Sequence, residues 1–103
     1  MSKYLINKLV TPKILKKYGF VYKNNGDYRL YIPCYKYKNK TVIYAYLYIN
    51  LDENVYTCEV KSNGTTYYPF YIQSNSRVNT VIEENLSEEI KKLIKKGILK
   101  YEN

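Results

Sequence analysis

Residues 41–50 read Thr-Val-Ile-Tyr-Ala-Tyr-Leu-Tyr-Ile-Asn, and this alternation restricts the fold more than any other feature of the chain. Ile43, Ala45, Leu47 and Ile49 fall on one parity, and Val42, Tyr44, Tyr46 and Tyr48 fall on the other. A strand sends successive side chains to opposite faces, whereas a helix would mix the two sets around its axis. The segment is predicted as a strand with an aliphatic face for a core and a tyrosine face turned away from it. Residues 28–38 repeat the pattern: Arg29, Tyr31, Tyr35 and Tyr37 share one parity, against Leu30, Ile32 and Cys34. In 65–72 the two sets are Tyr67, Pro69, Tyr71 and Tyr68, Phe70, Ile72.

Turn signals separate these segments. Asn24-Asn25-Gly26-Asp27, Asn39-Lys40, Leu51–Asn54 and Asn63-Gly64 divide strands at Phe20–Lys23, Tyr28–Lys38, Thr41–Asn50, Val55–Ser62 and Thr65–Ile72. Asn-Gly between two such runs is a strong hairpin signal, and short connections imply antiparallel neighbours. Pro33 and Pro69 cannot donate to a ladder, so each argues for an edge or a bulge.

Helix signals flank the strands. Thr11-Pro12 reads as a cap and first helical position, Ile14, Leu15 and Tyr18 share a face, and Gly19 is the stop, giving a short helix over 12–18. Leu5, Ile6, Leu9 and Val10 repeat at helical spacing, which predicts a helical turn over 3–10. Val78, Val81, Ile82, Leu86, Ile90, Leu93 and Ile94 form one stripe, with a capping box at Thr80 and Glu83, a second possible start at Ser87 and an end at Gly97. On its outer side Glu83, Glu84, Glu88 and Glu89 precede Lys91, Lys92, Lys95 and Lys96, the order the helix dipole favours, so this charge run is read as a solvated face. The expected architecture is a single α+β domain over 1–103. It has a four- or five-stranded antiparallel meander, a short N-terminal helix and a longer amphipathic C-terminal helix.

The residues that are missing narrow the chemistry. The chain has no His, which removes Ser-His and Cys-His nucleophile pairs and His-ligated metal. Gly19, Gly26, Gly64 and Gly97 are the only glycines, and none lies in a phosphate-cradling motif. The carboxylates gather on the C-terminal helix, with no acid–base pair indicated. Cys34 and Cys58 are far apart and strand-borne, read as two buried free thiols of a cytoplasmic chain, with a disulfide between them as the alternative. No secretory signal and no membrane span is legible. The expectation is a protein without metal, cofactor or catalytic activity.

Charge is unevenly spread. Residues 1–50 carry Lys3, Lys8, Lys13, Lys16, Lys17, Lys23, Arg29, Lys36, Lys38 and Lys40 against the single carboxylate Asp27. The first half therefore stands at +9 and the second at −1, within a net +8. Phe, Tyr, Met, Ile, Asn and Lys make up just over half the chain, which points to a low-GC gene of a bacterium or one of its phages. Codon bias of that kind multiplies Lys and Tyr but does not crowd cations into one half. The asymmetry implies an anionic partner.

Three readings of the tyrosine face follow. Cross-strand tyrosine pairs can stabilise a sheet without any ligand. Tyrosine-rich faces also serve as protein interfaces, a second copy of the chain included. Finally, such a face can stack bases of a single strand while Lys36, Lys38 and Lys40 grip phosphates. The leading expectation is a small binding protein of the kind phages and mobile elements use as accessory or counter-defence inhibitors. It would meet an anionic or nucleic-acid-associated partner through Arg29, Tyr31, Tyr35, Tyr37, Tyr44, Tyr46, Tyr48 and the three lysines. The alternative is a direct single-stranded nucleic-acid binder. A third reading is a small ribonuclease-like toxin working through Lys, Arg, Tyr and Glu.

Overall fold

The chain lays a five-stranded antiparallel meander across one side of the molecule and gathers its helices on the other. The computed structural model describes residues 4–72 and 76–102. In chain order the elements are β1 (Tyr4–Ile6), α1 (Pro12–Tyr18), β2 (Val21–Tyr22), β3 (Asp27–Tyr37), β4 (Lys40–Asn50), β5 (Val55–Ser62), β6 (Thr65–Thr66), α2 (Pro69–Ile72), α3 (Arg77–Lys95) and β7 (Leu99–Tyr101). The large sheet has the order β2-β3-β4-β5-β6, and β1 pairs with β7 in a separate ribbon. The α+β meander with a C-terminal helix is thus present as the sequence implies.

The aliphatic parity of β4 is buried. Ile43, Ala45, Leu47 and Ile49 join Leu30, Ile32 and Cys34 of β3, Val60 of β5, Leu15 of α1 and Ile82 and Leu93 of α3 in one core. Burying such a row removes it from water at ~25 cal/mol per Å² of apolar surface, which is why both helices settle on this face. The stripe Leu86, Ile90 and Ile94 packs against the same core from its margin.

Two hairpins fix the register. Lys38 and Asn39 take φ of 52° and 66°, and Asn63 and Gly64 take 53° and 81°. Paired left-handed residues match the twist of the flanking strands, so each loop needs only two residues. The β3–β4 ladder is disturbed between Pro33 and Lys36. β2 pairs with β3 only at Tyr28 and Arg29, so Pro33 lies on an open stretch of edge, as its missing N–H requires.

Four local expectations are corrected. Residues 4–6 form β1 rather than a helical turn, because β7 offers Tyr101, Lys100 and Leu99 as partners to Tyr4, Leu5 and Ile6. The strand expected over Thr65–Ile72 stops at Thr66; Pro69 starts α2, and the Tyr71 hydroxyl accepts from the Val60 N–H at 3.0 Å, closing the edge the strand would have covered. The long helix begins at Ser76, whose Oγ accepts from Asn79 N at 3.3 Å, and it runs unbroken past Thr80 and Ser87. Cys34 is buried, but Cys58, opposite Leu47 on β5, is exposed. Crowding around its sulfur and then the charge of Glu59 still push that thiol up to about 11, and burial pushes Cys34 up to about 12. Both are protonated at neutral pH, the unreactive form.

Tyr18 ties α1 to α3 by donating its hydroxyl to Glu89 Oε2 at 2.5 Å. Burial, then this bond, then the carboxylate charge raise its pKa above the usual tyrosine value. The folded state keeps the proton after the unfolded chain has lost it. The contribution of Tyr18 to stability is therefore complete below pH ~10 and declines as pH rises above it. Urea unfolding on either side of that pH should show a steeper alkaline loss in the native chain than in Tyr18→Phe. Parallel losses in the two proteins would refute the assignment.

Candidate binding face

The odd residues of β3 up to Pro33 and the even residues of β4 lie on the side of the sheet away from the helices and form a patterned surface. Register places Arg29 opposite Tyr48, Tyr31 opposite Tyr46 and Pro33 opposite Tyr44. On the other side of β4, Thr57, Glu59 and Lys61 lie opposite Tyr48, Tyr46 and Tyr44. The buried side chains of α1 and α3 belong to the opposite face, so among the described residues no helix covers this one.

Its rings hold one another. Tyr31 lies 5.5 Å from Tyr44 and 6.0 Å from Tyr46, Tyr44 lies 5.4 Å from Tyr46, and Tyr46 lies 6.2 Å from Tyr48, all tilted or edge-on. The Arg29 guanidinium lies 4.1 Å from the centroid of Tyr46, and the Lys61 ammonium 5.9 Å from it. Such contacts contribute ~0.5–1 kcal/mol at exposed sites and hold the ring in place. The Tyr44 hydroxyl accepts from Gly64 N at 3.0 Å. Glu59 accepts from Thr66 Oγ1 at 2.7 Å and sits 3.9 Å from Lys61. Tyr31, 50% exposed, is the most open ring of the cluster.

The lysines of the β3–β4 hairpin are all exposed, but they do not share a face. Lys40 lies opposite Tyr37 and continues the tyrosine parity of β4, while Lys36 lies opposite Thr41 on the helix side. Lys38 sits in the turn with its ammonium 5.5 Å from the Tyr37 ring. None of the three is in an ion pair among the described residues; the pairs there are Lys61–Glu59 and Lys91–Glu88. Tyr35 departs from its expected parity. At the ladder irregularity it pairs opposite Ile43 and packs against the core, beside Val81 and Asn85 of α3. Asn85 Nδ2 donates to Cys34 O at 2.6 Å there, so α3 holds this bent stretch of β3 from the core side.

The face has a second end that sequence reasoning misses. Beyond Tyr48, Asp27, Asn50, Glu53, Val55 and Thr57 line a shallow recess of about 270 Å³. Asn50 organises it by donating to Asn25 O at 3.1 Å and Asp27 Oδ1 at 3.0 Å while accepting from Glu53 N at 2.9 Å. Lys61, Glu59 and Thr57 are legible as one parity of 55–62; the gathering of Asp27 and Glu53 is not, since it depends on how two turns meet.

No protein-family model matches the chain, and no curated protein matches it. Among solved structures it is similar to a DUF1831 family protein from Lactobacillus plantarum, at a TM-score of 0.64 and 15% identity over 94% of this chain and 84% of that one. At such low identity the likeness shows the α+β fold and assigns no residue a role. No helix among the described residues is long and apolar enough to cross a membrane.

Proposed function

We propose that this chain is a non-catalytic binding protein whose open tyrosine face docks another protein. The observation that carries this reading is the ring of Tyr46, which already has Arg29 at 4.1 Å and lies in ring contact with Tyr31, Tyr44 and Tyr48. A base needs a free ring face and room between rings, and Tyr46, with the Arg29 guanidinium 4.1 Å from its centroid and three rings around it, offers little of either. A protein partner needs rigid aromatic and Arg anchors with little left to order, which the mutual contacts supply. Lys38 and Lys40 at the hairpin end favour an acidic rim on the partner and speed encounter. An accessory or inhibitor protein of a phage or mobile element would act through such a face by occlusion rather than turnover.

The test is a photocrosslinking amino acid at position 46 in cells that carry the gene, with the same group at Lys92 as control. Discrete, nuclease-resistant protein adducts are expected from position 46 alone. Nuclease-sensitive adducts would favour the nucleic-acid reading, and equal adducts from both positions would overturn the docking face. In parallel, Lys36→Glu, Lys38→Glu and Lys40→Glu together should leave the melting temperature nearly unchanged while lowering adduct yield, because no ion pair of theirs is lost. A large drop in melting temperature, or full adduct yield, would contradict this.

A further inference from the structure

The charges on the tyrosine face lean to opposite ends, with two exceptions: Lys23, whose N–H donates to Asp27 O at 2.7 Å, stands at the carboxylate end, and Arg29, opposite Tyr48, reaches back to the middle with its guanidinium 4.1 Å from the Tyr46 ring. At the hairpin end stand Lys38, Lys40 and Lys61, with Lys61 opposite Tyr44 and Lys40 continuing the parity of β4. At the far end Asp27 and Glu53 line the recess beside Tyr48, and Asp52 lies close by, its Oδ2 3.1 Å from where a Cβ on Gly26 would be. Tyr31, Tyr44, Tyr46 and Tyr48 separate the two ends. A face that is basic at one end, aromatic in the middle and acidic at the other is complementary to itself when turned end for end.

We infer that the occupant of this face is a second copy of the chain, stacked face to face with its β4 antiparallel to the first. The inference rests on the reading of the face as a protein-docking surface and names the partner. A two-fold axis lying between the sheets and perpendicular to the strands sets the lysine end of each copy over the carboxylate end of the other. The alternative axis, parallel to the strands, would stack lysines on lysines, and like charges set opposite one another are strongly disfavoured. The recess beside Tyr48 then receives a basic side chain from the other copy. One carboxylate, Glu59, comes near the axis in both copies, and it brings its own partners in Lys61 and Thr66.

Size agrees with this arrangement. β4 is 11 residues long, so the face is ~35 Å long at ~3.3 Å per residue and roughly 14 Å wide across β3, β4 and β5 at ~4.8 Å per strand. That is on the order of 500 Å² per copy, at the low end of specific interfaces and suited to a reversible dimer. Two twisted sheets stack in this aligned manner with their mean strand directions within about 30° of one another. Tyr and Arg at the centre, charges at the rim, is the layout of a specific interface.

Sedimentation equilibrium over a concentration series tests the inference. The native chain is expected to form a reversible dimer that weakens as salt rises. Lys38→Glu with Lys40→Glu, and separately Asp52→Lys with Glu53→Lys, should each weaken self-association by about 10-fold or more, since each reversal acts at both symmetry-related ends. An equimolar mixture of the two double variants should regain native affinity as a heterodimer, because each then offers the charge the other lacks. All four positions are exposed, so unchanged melting temperatures will show that folding is not what was lost. A monomer at every concentration, a dimer indifferent to both variants, or no recovery in the mixture overturns the inference. A monomer that still gives adducts with other proteins from position 46 would remove self-pairing and leave the docking face standing. A monomer without adducts would remove both.

Discussion

Leu93→Ala is expected to lower the unfolding free energy by about 2–5 kcal/mol, the range for a buried leucine whose cavity cannot fully collapse. Leu93 is fully buried where α3 crosses the sheet, in one core with Ile43, Leu47, Ile49 and Val60. Removing it takes apolar contact from the helix and from the aliphatic parity of β4 together. Val42→Ala on the opposite parity is the matched control. Val42 is 38% exposed, so its truncation leaves no cavity and should cost well under half as much. Urea titrations of both variants with unchanged slope would measure the two losses on one scale. A cost below ~1 kcal/mol for Leu93→Ala would mean that α3 does not hold the sheet as the core contacts indicate.

The same asymmetry explains what is legible in the sequence. Parity is local: each residue of β4 declares its face by its own polarity, so Ile43, Leu47 and the three tyrosines are readable from the amino-acid order alone. The α3 stripe and the Asn63-Gly64 turn are local in the same sense. β1 and β7 are not readable because three residues are too few to show a period, and Leu5, Ile6, Leu9 and Val10 imitate a helical one. Their pairing joins residues nearly a whole chain apart. α2 is hidden by the alternation of Tyr67 to Ile72, and only Pro69 argues otherwise. At the candidate face, Tyr44, Tyr46 and Tyr48 lie where their parity puts them. Tyr35 does not, because a ladder irregularity changes which way a side chain points without changing the sequence pattern. The three hairpin lysines group by proximity in sequence, but strand geometry sets Lys36 and Lys40 on opposite faces. The carboxylate end is invisible for a different reason: it is made by tertiary hydrogen bonds of a single buried amide.

That amide supports the other large expected effect. Asn50→Leu should cost about 2–4 kcal/mol, although leucine keeps the branched outline and the number of side-chain heavy atoms. Asn50 is 8% exposed and makes three bonds that no other side chain duplicates: to Asn25 O, to Asp27 Oδ1 and from Glu53 N. They bridge the turn before β3 and the turn after β4. The first of those turns places Asn25 at φ 67° and Gly26 at φ 84°, the left-handed region that Asn and Gly tolerate best. A leucine would take the partner from the Asn25 carbonyl and the Glu53 N–H, and because both residues are exposed, water recovers part of the ~1–3 kcal/mol that each group would cost if buried without a partner. Asn50→Asp separates hydrogen bonding from packing. It keeps the acceptor for Glu53 N but presents a carboxylate where Asp27 Oδ1 lies 3.0 Å away, so two negative charges meet. Its loss at neutral pH should match or exceed that of the leucine variant. On acidification the new carboxyl regains a proton to donate, and its deficit relative to the native chain should shrink; the deficit of Asn50→Leu should not. Equal, pH-independent costs in the two variants would show that Asn50 acts by filling space. A deficit that shrinks with acid in the aspartate alone would show that its hydrogen bonds shape the carboxylate end of the face.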